Sequence, residues 1–146
     1  MAFLAVIDTN VIISALIKRR TNLKENIKTG PSLILDYIRD GTLVPYISSE
    51  ILIEYVDVLT RDEFDITDRE LIEILDLLLE RSQLIKDIES NIELTDKSDV
   101  KFYAVTLSAR KNDDAYLVTG NKRHFPAEPF VVSPREMVEI IESQSK

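Results

Sequence analysis

Phe3-Leu4-Ala5-Val6-Ile7-Asp8-Thr9-Asn10 is the stretch on which the fold turns. Five apolar residues run without interruption and stop at an aspartate. A strand with one wet face alternates apolar and polar residues, so a continuous run reads as a strand covered on both faces, as in a parallel sheet between helices. Ala115-Tyr116-Leu117-Val118-Thr119 is a second such run, stopped by Gly120. Residues 43–46 and 130–132 are shorter candidates, and residues 84–85 a weaker one. Helical segments fill the intervals. One begins within 11–16, and another spans 31–40 with Gly41 as its C-terminal stop. A third is capped by Ser48 or Ser49 and runs to about Leu59. Thr67-x-x-Glu70 and Ser133-Pro134-x-Glu136 are capping boxes, the second with proline at the first helical position. Strands alternating with helices predict an α/β sandwich with parallel strands and right-handed crossovers, whose functional residues lie beyond the strand C-termini.

The length of 146 residues, 45% hydrophobic and 30% charged, fits one domain over residues 1–146 with a real core. No repeat or Pro/Gly-rich linker divides it. The absence of cysteine excludes disulfides, thiolate metal sites and a cysteine nucleophile, and one histidine, His124, cannot build a histidine metal cluster. Three glycines leave no room for a phosphate-binding P-loop or a dinucleotide fingerprint, and His124 has no evident nucleophile beside it. The apolar start lacks a preceding basic region and ends at Asp8, so it reads as neither signal peptide nor anchor, and a cytoplasmic protein with no membrane partner is expected.

A net charge of −8 argues against loose electrostatic binding of nucleic acid. The charge is regional, however. Between Asp57 and Asp99 there are 14 acidic and five basic residues, leaving the rest of the chain at +1. Lys18, Arg19, Arg20, Lys24 and Lys28 fall within eleven residues that read as a mobile basic loop, either solvated or in contact with a nucleic-acid backbone. Lys122-Arg123-His124 is a smaller basic step. The helix after Thr67 is apolar nearly all round, which predicts burial on two sides or an interface.

The remaining chemistry rests on carboxylates at the ends of regular elements. Asp8 emerges at the end of the first strand, where it serves either a site or the cap of the next helix. Glu54 alone reads as a solvated helix residue, one turn after Glu50. Asp96 as N-cap with Asp99 in the first turn needs no chemistry, and Gly120-Asn121 can be a simple turn. Taken together, a parallel sheet can bring Asp8, Glu54, Asp96 or Asp99, and Asn121 into one acidic cleft. Carboxylates about 5 Å apart repel by roughly 3 kcal/mol per pair at an effective dielectric of 20. Such a cluster makes sense mainly around a hard cation such as Mg²⁺ or Mn²⁺.

Four segments in order, Ile7-Asp8-Thr9-Asn10-Val11-Ile12-Ile13-Ser14-Ala15-Leu16, Ile47-Ser48-Ser49-Glu50-Ile51-Leu52-Ile53-Glu54-Tyr55, Asp96-Lys97-Ser98-Asp99-Val100-Lys101-Phe102 and Leu117-Val118-Thr119-Gly120-Asn121-Lys122-Arg123-His124-Phe125-Pro126, resemble the successive motifs of PIN-domain proteins. The nearest group is the toxin branch of bacterial toxin–antitoxin systems, akin to the VapC-like toxins. The resemblance implies a PIN-like three-layer α/β/α sandwich with a central, mainly parallel sheet. It implies that Asp8, Glu54 and Asp99 are catalytic and hold the metal, with Asn10, Asp96, Thr119 and Asn121 in support. Asn121 stands where the family commonly has aspartate, which removes one negative charge and puts a second metal ion in question.

The activity implied is hydrolysis of RNA phosphodiester bonds by a water activated on Mg²⁺ or Mn²⁺. The partners implied are RNA, a cognate antitoxin protein and a second copy of the chain, so that a homo-oligomer is expected. Charge placement alone assigns Lys18, Arg19, Arg20, Lys122 and Arg123 to the RNA backbone. Asn121 also supports a rival, a catalytically attenuated RNA-binding or regulatory module. A haloacid-dehalogenase-like phosphatase is disfavoured, because Asp8-Thr9-Asn10 lacks the second aspartate two residues on.

Overall fold

The computed structural model describes residues 2–22, 29–86, 88, 92–94 and 96–144, without the side chains of 18–22. Among these residues, five strands, β1 (Phe3–Ile7), β2 (Leu43–Ile47), β3 (Gln83–Leu84), β4 (Tyr116–Val118) and β5 (Val131–Val132), form one sheet in the order β3-β2-β1-β4-β5. Every pairing is parallel, with Phe3 opposite Leu43 on one side of β1 and Ala5 opposite Tyr116 on the other. Ala5, Val6 and Ile7 are all fully buried, so both faces of the central strand are covered.

Among the described residues, six helices supply the cover: α1 (Thr9–Asn22), α2 (Gly30–Asp40), α3 (Ser49–Leu59), α4 (Asp68–Arg81), α5 (Lys97–Ala109) and α6 (Pro134–Gln144). α2 packs on α1, α4 and α6, whereas α5 packs across β1, β2 and β4 and meets α3. The handedness rule accounts for this division. The chain moves from β1 to β2 to β3 in one direction and returns to β4 in the other, which puts α5 on the opposite face.

Local chemistry sets the helix ends. Gly41 closes α2 at φ 84°, a left-handed conformation costly for a side chain with Cβ, and donates its N–H to Ile38. Ser48 Oγ accepts the Ile51 N–H at the start of α3. Both halves of the Thr67–Glu70 capping box are present, and Ser133 and Glu136 exchange the same pair of bonds at the head of α6. Two expectations change. Residues 18–22, read as part of a basic loop, continue α1 as helix, while Lys24 and Lys28 lie outside the described residues. In α4 only Ile74 and Leu78 are buried, whereas Ile72 and Leu79 stand 58% and 56% exposed, so the helix is not buried on two sides.

Candidate metal centre at the sheet switch point

From β1 the chain turns to one side of the sheet, and from β4 to the other. The crevice beyond the carboxyl ends of these two adjacent strands is the switch point at which parallel α/β sheets place their sites. Asp8 follows β1 and Thr119 follows β4. The Asp8 N–H extends the ladder to Val118 O at 2.9 Å, which fixes the two ends side by side. Thr119 Oγ1 then donates to Asp8 Oδ2 at 2.7 Å, and Asn10 Nδ2 donates to the same oxygen at 3.3 Å. Asn10 Oδ1 accepts the Gly120 N–H at 3.0 Å, tying the two strand-end loops together.

Glu54 comes from the inner side of α3. Its carboxylate receives Thr9 Oγ1 at 3.3 Å and Lys101 Nζ at 3.0 Å, and its side chain is only 18% exposed, unlike the exposed Glu50. Tyr55, fully buried beside it, donates its hydroxyl to Ile7 O just before Asp8. Asp96 caps α5, its Oδ1 accepting the N–H and Oγ–H of Ser98 at 2.9 and 2.7 Å. Asp99, one turn in, is buried, and its Oδ2 is sealed from solvent with no hydrogen-bond partner. His124 Nδ1 lies 3.3 Å from that oxygen, close enough for an ion pair when the ring is protonated but without hydrogen-bond alignment.

The electrostatics match this crowding. Burial raises the Asp8 carboxyl to about 6, aided by the Asp99 charge and opposed by the Thr119 hydroxyl and the N–H groups at the start of α1. Burial and the neighbouring Asp96 also raise Asp99, with His124 opposing. Asp96 is lowered by its bonds to Ser98. Burial pushes the Tyr55 phenol far up, with the Asp8 and Glu54 charges adding to it.

A PIN-domain family profile matches residues 5–123, a span that contains Asp8, Glu54, Asp96, Asp99 and Thr119 and ends within the basic turn. The chain belongs to the PIN-domain family. No curated protein and no solved structure gives a significant match. PIN domains are usually nucleases that bind nucleic acid, and PIN nucleases generally use divalent metal ions. Within this PIN domain the donors suit such an ion: hard carboxylate oxygens, one of them buried without a hydrogen bond. Among the described residues, the acid and histidine group whose ligand atoms all approach within 4.8 Å is Asp96, Asp99 and His124. Asp8, Glu54 and Asp99 do not form so close a group, but the Asp99 charge acts on Asp8 and the Glu54 charge on Asp99, and Lys101 is held against Glu54.

Asn121 donates its N–H to Thr119 Oγ1 at 3.0 Å and lines a cleft of about 760 Å³ that continues from Asn10 and Gly120 past Ser14 to Arg135. Lys122 pairs with Glu136 at 2.9 Å, Arg123 is exposed, and the side chains of Lys18, Arg19 and Arg20 lie outside the described residues. No helix among the described residues is long and apolar enough to cross a membrane. Sequence reasoning missed Lys101, Thr9 and His124 as neighbours of the carboxylates. Lys101 gave no local signal, because its partner Glu54 lies 47 residues away on α3.

Lys101 and Glu54 are 22% and 18% exposed, so truncating one strands the other in a partly dry site. Lys101→Met is expected to cost about 1–3 kcal/mol of stability. A double-mutant cycle with Glu54→Gln in denaturant unfolding measures the coupling, and a coupling of zero would count against the pair as a structural tie.

Proposed function

We propose that this PIN domain is a metal-dependent ribonuclease and the toxin of a toxin–antitoxin pair, acting in the cytoplasm as one domain over residues 1–146. The observation that carries the reading is Asp99 Oδ2 at the switch point, sealed from solvent without a hydrogen bond and faced by the His124 ring at 3.3 Å. Leaving a charged acceptor without a partner is costly unless a ligand completes it. Asp8, Glu54 and Asp99 would hold Mg²⁺ or Mn²⁺, which supplies an acidified water and offsets charge on phosphate oxygens when bound. Thr119 and Asn10 orient Asp8 through Oδ2, Asp96 fixes the start of α5 and thereby Asp99, and Asn121 holds Thr119 from below. Lys101 keeps Glu54 pointed inward and would yield it to the cation.

RNA would run along the cleft beside Asn10 and Asn121, with Lys18, Arg19, Arg20, Lys122 and Arg123 on its backbone. The exposed Ile72 and Leu79, in the acidic stretch between Asp57 and Asp99, offer an apolar strip with an acidic rim to a basic amphipathic antitoxin segment, or to a second copy of the chain at higher concentration. The Lys101–Glu54 ion pair and the amide at Asn121 favour a second reading, a catalytically attenuated RNA-binding module.

The test is cleavage of single-stranded and hairpin RNA with EDTA, Mg²⁺ or Mn²⁺. Wild type is expected to cleave with metal and stop with chelator, and Asp99→Asn and Glu54→Gln to lose about 10²-fold or more. Metal-independent cleavage, or equal activity in the variants, would overturn the assignment. RNA binding without cleavage would establish the second reading.

A further inference from the structure

The geometry points to a second cation position formed by Asp96, Asp99 and His124, one that takes a nitrogen-accepting divalent transition ion of the Zn²⁺ or Co²⁺ type in preference to Mg²⁺. It adjoins the cation site proposed above and rests on that reading only through Asp99, which both would share.

Three observations converge. His124 is carried on a single 3-10 turn, Lys122–His124, whose next residue Phe125 is buried with its ring 6.3 Å from that of Tyr103 on α5. The turn is thus pinned against the helix that bears Asp99, and the imidazole stands where it does for reasons of packing. Second, Nδ1 and Asp99 Oδ2 are 3.3 Å apart, yet the oxygen has no hydrogen bond. Neighbouring donors around one ion, each bonded at about 2.1 Å, stand roughly 3.0 Å apart in octahedral and 3.4 Å in tetrahedral arrangements. The observed spacing fits two ligands of one ion. Third, Asp96 closes the group within 4.8 Å, and its capping bonds engage Oδ1, which leaves the other carboxylate oxygen for a ligand.

The donor types set the selectivity. Two carboxylates and an imidazole favour ions that accept nitrogen, whereas Mg²⁺ keeps to oxygen and water.

His124 is the sole histidine of the chain, so tag-free ¹⁵N-labelled protein gives one imidazole in a long-range ¹H–¹⁵N spectrum. Zn²⁺ is expected to move one ring nitrogen, while Mg²⁺ in large excess does not. By calorimetry, His124→Ala should weaken Zn²⁺ binding about tenfold or more with Mg²⁺ binding unchanged, and Asp96→Asn should weaken Zn²⁺ binding by a similar factor. His124 is 52% exposed, so its truncation leaves the fold intact, which a thermal melt verifies. An unmoved ring, or Zn²⁺ bound equally by wild type and His124→Ala, overturns the proposal. A ring that shifts with Zn²⁺ regardless of Asp96→Asn is surface imidazole binding and overturns it too. Retained Mg²⁺ binding in any of these outcomes leaves the nuclease reading standing. A wild type that binds Zn²⁺ through His124 but no Mg²⁺ upholds this position while removing the other.

Discussion

Asp8→Asn is expected to abolish metal-dependent RNA cleavage and, in the same protein, to raise the melting temperature. On the proposed function, loss of the Asp8 charge should lower the rate about 10²-fold or more. The gain in stability follows from proton linkage. The Asp8 carboxyl stands at about 6 in the folded chain against an ordinary 3.8, so the folded state binds this proton more tightly than the unfolded state does. The stability it contributes is complete below about pH 4, declines as pH rises, and is lost above about pH 6. At neutral pH the charged group therefore costs the fold up to about 3 kcal/mol, and the neutral amide, which still accepts the Thr119 hydroxyl, escapes that cost. Melts in EDTA should show the variant ahead by about 1–3 kcal/mol near pH 7 and level with wild type near pH 4. A variant less stable across the whole range would make Asp8 chiefly the cap of α1, worth about 1 kcal/mol.

Phe102→Ala should lower stability by about 3–5 kcal/mol, the larger of the two effects on the fold. Phe102 lies one turn beyond Asp99 and is fully buried, its ring centroid 6.4 Å from that of Tyr55. Tyr55 in turn holds Ile7 O at the end of β1. The two rings pack between α3, which carries Glu54, and α5, which carries Asp99, so truncation opens a cavity between the elements that bear the carboxylates. Denaturant unfolding should show a lower midpoint at unchanged slope. A loss under about 1 kcal/mol would mean that the cavity collapses without consequence.

The strands and helix ends were legible because each depends on a local pattern. The apolar runs at residues 3–7 and 115–119, the glycine at 41 and the two capping boxes involve residues within a few positions of one another. α1 ran past its expected limit because helical propagation adds one bond per residue once begun, and Lys and Arg are good helix formers. The exposure of Ile72 and Leu79 was open in the sequence, since a helix apolar all round gives no sign of which side meets the sheet.

By itself the sequence determined which residues could stand at strand and helix ends, and so the order of elements, the parallel sheet and the PIN-domain resemblance. Those are properties of short segments and their succession. Only the tertiary structure decided what meets at the switch point: Thr119 on Asp8, Lys101 on Glu54, His124 beside Asp99. Lys101 lies 47 residues from Glu54 and Thr119 lies 111 from Asp8, separations over which no local periodicity carries information. The sheet register brings these groups together, and burial there turns ordinary surface residue types into a crowded cluster of carboxylates with shifted protonation.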